Sequence, residues 1–379
     1  MFGRRISLFK LFGFRVSVDA SWFILAILLT WTLAGDTFPH YFKGLSIATY
    51  WWMGVGGALG LFASIVFHEF CHSIIARRYG LQMKGITLFI FGGVAEMEQE
   101  PDSPRTEFFM AIAGPISSIV LATVLLFAAM IGKRAEWPKP VTGVLSYLWF
   151  LNYMLAGFNL LPAFPLDGGR VLRSILWAVK GNLRWATRIA SRLGSAFGLF
   201  LIIMGVLLFS IGANFVGGVW SALIGMFIRT ASKMSYKQLL MRKTLEGEEV
   251  RRFMKTNPIT VSPSISVEEL VNDYFYKYHF KMFPVCDGDR LTGCVTAGQV
   301  RDVPKDQWGQ RTAGDLAKPC SAGNTISPET DAMKALSVMS RTGNSRLMVV
   351  DNGRLVGVIT LKDMLKFLDL KIDLEGDQT

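Results

Sequence analysis

One short stretch of the chain, from His68 to His72, carries residues whose types and spacing could do chemistry together. Two histidines stand four positions apart, and Glu69 follows the first of them. On an α-helix each residue advances by about 100°, so His72 falls about 40° and Glu69 about 100° from His68, on one face. Two histidines one turn apart can chelate zinc, and an adjacent glutamate can serve the zinc-bound water as general base. The stretch therefore predicts a hydrolytic zinc site.

The setting of these three residues bears on whether they are functional. They lie inside an apolar run, with S-I-V-F at 64–67 before them and S-I-I-A at 73–76 after them. A carboxylate and two imidazoles at membrane depth are costly, and such residues generally mark a function. The alternative is structural: packing against other helices would satisfy the three polar side chains.

A second motif, between Gly157 and Arg170, supplies a candidate third ligand. Zinc held by two histidines needs a third protein ligand and an open position for water. Two prolines and two glycines break any helix in this stretch. Broken backbone is tolerated at membrane depth only where protein or a water-filled cavity covers it. Asp167, inside this stretch, is the predicted third ligand.

Membrane spans account for most of the apolar residues. Of the 379 residues 51% are hydrophobic, and these crowd into the part of the chain before Arg229. The six predicted spans are Ser21–Ala34, Tyr50–Tyr79, Phe108–Ile131, Val141–Leu161, Leu193–Phe209 and Ile211–Ile228. A secretory signal peptide is the alternative for the first, but no clear small-residue cleavage site follows it.

Composition argues against two other classes of protein. The formal charge is +11, yet the basic residues flank apolar runs and do not form the single stripe of a nucleic-acid-binding protein. We therefore expect the lipid bilayer as a partner and no nucleic acid. The four cysteines form neither a C-x-x-C pair nor a disulfide framework.

The distribution of Lys and Arg predicts the orientation in the membrane. With the N-terminus inside, the inner segments carry nineteen of these residues, and the outer segments carry only Lys43, Lys133, Arg134 and Lys139. By the positive-inside rule this predicts a multi-pass protein of the plasma or inner membrane with both termini cytoplasmic. The second and fourth spans then both run inward, so that His68, His72 and Asp167 meet at similar depth.

Two segments of the membrane part do not read as helices. Phe12–Asp19 alternates apolar and polar residues with period two, which indicates a strand or an interfacial segment. Ile86–Ala95 is too short to span a membrane as a helix and is rich in β-forming residues. We expect a hairpin or a re-entrant segment there.

The two chemical motifs together resemble a known family. H-E-F-C-H at 68–72, combined with N-L-L-P-A-F-P-L-D-G-G at 159–169, is similar to the site-2 protease family of intramembrane zinc metallopeptidases. F-G-G-V at 91–94 and A-G-P at 113–115 also look like features of that family. The resemblance covers residues 1–229 and predicts a membrane-embedded zinc metalloprotease domain over that range.

The resemblance also implies roles for individual residues. His68, His72 and Asp167 would hold one zinc ion per chain, and Glu69 would activate the water and then shuttle its proton. Asn159 would polarise or orient the scissile carbonyl. The alternative for Asn159 is a helix-capping or turn residue before the first proline.

The implied substrates are single-span membrane proteins, or membrane-inserted remnants of an earlier cleavage. The hydrogen bonds of a helix shield its own peptide bonds, so the substrate must be unwound locally and held extended. Addition of a strand to an exposed sheet edge would do this, and Thr87–Val94 is the candidate edge.

The rest of the chain is a soluble sequence that repeats itself. After a linker at 230–247, a shift of 64 residues aligns 283–296 with 347–360. Identities fall at Val285/Val349, Asp287/Asp351, Arg290/Arg354, Leu291/Leu355, Gly293/Gly357 and Thr296/Thr360. Each copy reads strand, helix, strand, turn, strand, helix, and a duplication of this period implies two units that bury their sheets against each other.

This repeat resembles a tandem pair of CBS domains, with copies at 248–305 and 306–370 before a tail at 371–379. In that family a Thr followed three positions later by Asp grips the ribose of an adenine nucleotide such as ATP or AMP. Thr360 and Asp363 match this pattern, whereas the first copy has Thr296 but Gln299. One nucleotide site is therefore expected. The alternative is a pair that only docks or forms a homodimer.

Together these observations predict a fold class and leave one rival function. The fold is a polytopic α-helical membrane protein of six transmembrane helices with a short membrane-associated β segment, followed by a cytoplasmic α/β CBS pair. The function is intramembrane zinc endopeptidase activity that a nucleotide could regulate. The rival is a CBS-regulated transporter or channel, which would need neither a general base beside a chelating pair nor a third ligand on another helix.

Overall fold

The computed structural model describes residues 5–81, 83–90, 92–97, 100–212, 215–288 and 290–375. The chain divides into two compact units, Met1–Lys237 and Gln238–Thr379. One helix, α8 (Phe215–Leu245), runs through this division and contains most of the predicted linker at 230–247.

The membrane unit consists of helices with a small sheet. Its helices are α1 (Ala20–Thr32), continued by a π-helical turn (Leu33–Thr37) and α2 (Phe38–Tyr41), then α3 (Ile47–Arg78), α4 (Pro104–Arg134), α5 (Lys139–Asn159), α6 (Asp167–Lys180), α7 (Leu183–Ser210) and α8. By length and composition six of the described helices can cross a membrane: Ala20–Tyr41, Ile47–Arg78, Pro104–Arg134, Lys139–Asn159, Leu183–Ser210 and Phe215–Lys243. The predicted six spans and the polytopic helical fold are confirmed.

Helix α3, which carries both histidines, is the centre of the membrane unit. Ser46 caps its N-terminus by accepting a hydrogen bond from Thr49 N. Glycines in its first half allow neighbouring helices to approach closely. A Cβ at Gly54 would lie 2.8 Å from Thr30 O of α1, and one at Gly60 would lie 2.6 Å from the Leu148 side chain of α5.

The sheet of the membrane unit has four strands in the order β1 (Arg5–Leu11), β2 (Phe14–Asp19), β3 (Met83–Phe89) and β4 (Gly92–Met97). Strands β3 and β4 form an antiparallel hairpin, so of the two structures expected for residues 86–95 the hairpin is present. Val18, Ile86 and Leu88 pack this sheet on the side chains of Ile65, Val66 and Phe70 from α3. Strand β4 lies against the same helix, because a Cβ at Gly93 would meet Glu69 Cγ at 2.8 Å.

The second unit contains the two sequence repeats as two matching hairpins. Strands β6 (Met282–Asp287) and β7 (Arg290–Thr296) correspond to β10 (Arg346–Asp351) and β11 (Arg354–Thr360). Its other elements are β5 (Lys255–Thr256), α9 (Val267–Glu269), a π-helical stretch (Leu270–Phe275), α10 (Tyr276–Tyr278), α11 (Ala297–Arg301), α12 (Ala313–Leu316), β8 (Lys318–Pro319), β9 (Thr325–Ile326), α13 (Ala332–Thr342), α14 (Leu361–Glu375) and 3₁₀ turns at Val250–Arg252 and Lys305–Gln307.

The two copies join edge to edge in one sheet, whereas the duplication predicted two units that bury their sheets against each other. The strand order is β6-β7-β11-β10-β9, and the hairpins meet where Arg290 pairs with Arg354. Leu291 and Cys294 of one hairpin pack with Met348 of the other. There are two further apolar cores, one around Phe283 of the first copy and one around Leu347 of the second, and the latter includes Val250 and Phe253 from the start of the first copy.

Candidate metal centre

Three side chains predicted as metal ligands converge on one point in the membrane unit. Asp167 Oδ2 lies 3.0 Å from His68 Nε2 and 3.2 Å from His72 Nε2, and the two Nε2 atoms are 3.1 Å apart. His68 and His72 are buried on α3, and Asp167 is the first residue of α6. Residues 99 positions apart in the chain therefore present three ligand atoms to the same place.

Helix α4 sets the orientation of both imidazole rings. His72 Nδ1 lies 2.6 Å from the Met110 carbonyl oxygen, and His68 Nδ1 lies 2.8 Å from Ser118 Oγ. A carbonyl oxygen only accepts, so His72 Nδ1 donates its hydrogen, and in a neutral ring Nε2 then has a lone pair available for a metal ion. This is the arrangement of metal-bound histidines, whose second nitrogen donates to a neighbouring acceptor.

The donor set and the space between the ligands fit a zinc ion. Zinc takes imidazole nitrogen and carboxylate oxygen at about 2.0–2.2 Å in tetrahedral sites, which places ligand atoms about 3.3 Å apart. The observed separations of 3.0 to 3.2 Å need only a small opening to admit the ion. Gly114 of α4 closes one side, because a Cβ there would overlap His72 Nε2 and lie 2.5 Å from His68 Nε2.

Asp167 reaches this point because the chain breaks between α5 and α6, as the prolines and glycines predict. Helix α5 ends at Asn159 and α6 begins at Asp167. Gly168 and Gly169 lie directly under this connection, where a Cβ would overlap the backbone of Leu160 and Phe164 respectively. Only glycine permits so close an approach, and the approach fixes the start of α6.

Glu69 is half-buried and lies between the ligand helix and strand β4. A Cβ at Gly93 would meet Glu69 Cγ at 2.8 Å and Ile65 Cγ2 at 3.0 Å. The glutamate therefore follows His68 on α3 with its side chain directly against the second residue of β4.

The structure does not bring Asn159 into a hydrogen bond with the three ligands among the residues described. It is the last residue of α5, and its Nδ2 donates to the Leu155 carbonyl oxygen one turn earlier, at 3.0 Å. Its role towards a substrate carbonyl stays a prediction, and so does the alternative as a local capping residue.

Ser118 and the Met110 carbonyl have no signal in the sequence, and Gly114 appears there only within the A-G-P motif at 113–115, without a role. Each acts through the packing of α4 on α3, which local spacing does not reveal. One signal was present in the sequence: a glycine followed by proline, Gly114-Pro115, inside an otherwise apolar helix. Such a glycine commonly marks close approach of another group.

In the second unit, Thr360 and Asp363 bond to each other, and their role in binding a ribose stays a prediction. Thr360 Oγ1 donates to Asp363 Oδ2 at 2.6 Å, and Asp363 N donates to Thr360 Oγ1 at 3.1 Å. Lys255 Nζ lies 3.6 Å from the other carboxylate oxygen. The carboxylate stands at the start of α14, with a cation beside it.

The matching position in the first copy is closed by the glutamine. Gln299 Oε1 accepts from both Thr296 N, at 2.9 Å, and Thr296 Oγ1, at 2.6 Å. Its Nε2 donates to the Leu316 carbonyl oxygen. At this position the first copy therefore has a neutral amide, whereas the second has a carboxylate.

Comparisons with known proteins agree with both halves of this description. The model of Peptidase family M50 matches residues 56–140 and 129–204, and the CBS domain model matches residues 250–306 and 321–370. A Mycobacterium tuberculosis protein named zinc metalloprotease Rip3 is 34% identical over 367 residues, covering 96% of this chain and 93% of its own.

Two further similarities come from Methanocaldococcus jannaschii. A zinc metalloprotease of that organism is 32% identical over 319 residues, covering 83% of this chain and 86% of its own. The solved structure of a site-2 protease from the same organism aligns at 29% identity with a TM-score of 0.42, covering 61% of this chain and 94% of that one.

Proposed function

Because the chain belongs to peptidase family M50, we propose that it hydrolyses peptide bonds of membrane-spanning proteins with one zinc ion held by His68, His72 and Asp167. The observation that carries the proposal is the convergence of these three side chains from two helices against Gly114. The third ligand on a separate, broken helix and the glutamate beside the histidine pair favour a peptidase over a transporter or channel.

Each residue of the site has a distinct task in this mechanism. His68, His72 and Asp167 would hold the zinc ion, which would supply a water whose pKa is lowered to about 7 and a Lewis acid for the substrate carbonyl. The Glu69 carboxylate accepts a proton from the attacking water and then gives it to the leaving amide nitrogen. Asn159 orients the scissile carbonyl. The Met110 carbonyl oxygen and the Ser118 hydroxyl hold the two imidazole rings in place by hydrogen bonds to the Nδ1 atoms of the histidines.

We infer that the substrate binds as an added strand along β4. Strand β4 pairs with β3 on one side and has no strand partner on the other among the described residues. Gly93 brings this strand against Glu69, so a peptide paired to its free edge would run past the general base. Main-chain hydrogen bonds to the edge would hold the peptide extended whatever its sequence. The expected substrates are single-span membrane proteins.

The orientation and the regulation are also proposals. The Lys and Arg distribution supports cytoplasmic termini and a site near the cytoplasmic face of a plasma or inner membrane. Thr360 and Asp363 support one adenine nucleotide, ATP or AMP, bound at the second CBS copy. The alternative for the pair is a homodimer contact without nucleotide, which a direct nucleotide-binding measurement distinguishes.

Cleavage of a model single-span substrate in detergent, with bound zinc measured in parallel, tests the main proposal. Glu69→Gln should lower the rate by about 10²–10⁴-fold, the usual share of a general base, with zinc retained. Asp167→Ala should lose both zinc and cleavage. Unchanged cleavage by Glu69→Gln would place the activity in a contaminant, and a wild-type chain without zinc would refute the assignment.

A further inference from the structure

The membrane unit contains a buried ion pair that the proposed mechanism does not use. Arg173 of α6 is 3% exposed, and its Nε donates to Glu107 Oε1 of α4 at 2.7 Å. Its Nη2 donates to the same oxygen, and Glu107 is fully buried. Glu100 Oε2 stands farther away, 4.0 Å from Arg173 Nη1.

We propose that this pair is a positioning device that holds Asp167 in place relative to His68 and His72, so that the zinc affinity depends on it. The inference rests on the proposed zinc site. Neither residue contacts the ligand atoms, and both act through the helices that carry them.

Helix α4 contacts the elements that carry all three ligands. Glu107 precedes Met110 by three residues, so the two lie on one side of α4, and the Met110 carbonyl accepts from His72. His68 is held by the same helix through Ser118. Asp167, the ligand outside α3, begins α6, which packs on α4, and Arg173 links these two helices by a buried ion pair.

Arg173 acts on both sides of Asp167. It follows Asp167 by six residues on α6, about 9 Å along the helix axis. Its guanidinium also lies over the ring of Phe164, 5.0 Å from the centroid, in the connection that precedes Asp167. Phe164 is fixed in turn by its carbonyl oxygen, which accepts from Ser232 of α8. One side chain thus restrains the chain before and after the ligand.

The energetics of buried pairs support a geometric role rather than a stabilising one. Desolvation of two charges consumes much of their attraction, and apolar replacements of similar size are often neutral for stability. Removal of one partner is harmful because it leaves a buried, uncompensated charge. What the pair adds over apolar contacts is a directional arrangement, in which two guanidinium donors fix the angle between α4 and α6.

A double substitution tests this without leaving a buried charge. The full chain carrying both Arg173→Met and Glu107→Met is purified in detergent, and its zinc affinity is measured by competition with a chromogenic chelator. Outer residues that orient metal ligands typically change affinity by about 10- to 100-fold, and we expect a loss in this range. The Co²⁺-substituted protein should also show an altered visible absorption spectrum, which a merely structural role would leave unchanged.

Two single variants complete the experiment. Arg173→Lys keeps the charge but loses the two-donor fork, so it should show an intermediate affinity. If the double variant does not fold, the zinc affinity of Arg173→Lys still tests the proposal. Lys180→Met removes a cation from the exposed end of the same helix and should bind zinc like the wild type. If both Arg173 variants kept the zinc affinity and the Co²⁺ spectrum of the wild type, the positioning role of Arg173 would be wrong and the proposed function would stand. If the wild type itself held no zinc, both the positioning role and the proposed function would be wrong.

Discussion

Gly114 faces the two ligand nitrogens so closely that a side chain there would occupy the place of the ion. We predict that Gly114→Ala lowers bound zinc from about one ion per chain to near zero, because tetrahedral coordination needs ligand distances of about 2.0–2.2 Å. A Cβ would lie 2.5 Å from His68 Nε2 and still closer to His72 Nε2. Elemental analysis of the purified protein measures the loss.

The control for this substitution is the same change at an unobstructed glycine. Gly157 is helical and has no atom within 4 Å of an added Cβ. Gly157→Ala should therefore keep its zinc and gain a little helix stability, by roughly 0.5–1 kcal/mol. If Gly114→Ala retained a full complement of zinc, the ion would have to bind elsewhere than between the two histidines and Asp167.

At the residue scale, the sequence reveals ligands better than it reveals what surrounds them. His68, Glu69 and His72 are linked by helical periodicity alone, and Asp167 by the need for a third ligand on broken backbone. Gly114 and Ser118 depend on which turn of α4 crosses α3, which is a property of packing between distant segments. Arg173 counts in the sequence as one more inner positive charge, whereas the structure buries it against Glu107.

At the element scale, the free edge of β4 makes a prediction about the shape of the bound substrate. When an oxidant is added, single cysteines placed along the cleaved segment of a substrate should form disulfides with a Met97→Cys variant at every second position. A period of two is that of a strand, whereas a substrate that stayed helical would give a period near 3.6. Glu69→Gln, with the native cysteines replaced, keeps the substrate intact during the reaction.

The opposite edge of the same sheet provides the control for this crosslinking. Ser7 of β1 is exposed and lies at the far edge of the four strands. Ser7→Cys should give no disulfides with the same substrates. Crosslinks at three- or four-residue intervals, or equal yields from both edges, would contradict strand addition at β4.

The spans show how hydropathy locates elements but not their ends. The predicted fifth span begins at Leu193, whereas α7 begins ten residues earlier at Leu183, and the predicted sixth ends at Ile228, whereas α8 continues to Leu245. The additional turns carry arginines and lysines. Backbone hydrogen bonds continue a helix whatever the polarity of its side chains, so the apolar run marks only the part that meets lipid.

At the scale of the whole molecule, α8 is the one described helix that belongs to both units. Its Ser232 donates to the Phe164 carbonyl oxygen in the connection before Asp167. Its last residue, Leu245, lies in the apolar core of the second CBS copy.

The two CBS copies make the nucleotide prediction specific to one site. Asp363→Ala should weaken ATP or AMP binding by about 10- to 100-fold, because a hydrogen bond to a charged group contributes about 1.5–3 kcal/mol. Gln299→Ala, the matched change in the first copy, should leave nucleotide affinity unaltered, since Gln299 is already bonded to Thr296 and Leu316.

Calorimetry on the full chain measures the nucleotide affinity of both variants, and cleavage assays with and without nucleotide show the effect on proteolysis. Equal losses in the two variants would place the nucleotide across both copies, and a wild-type chain that binds neither nucleotide would leave docking or dimerisation as the role of the pair.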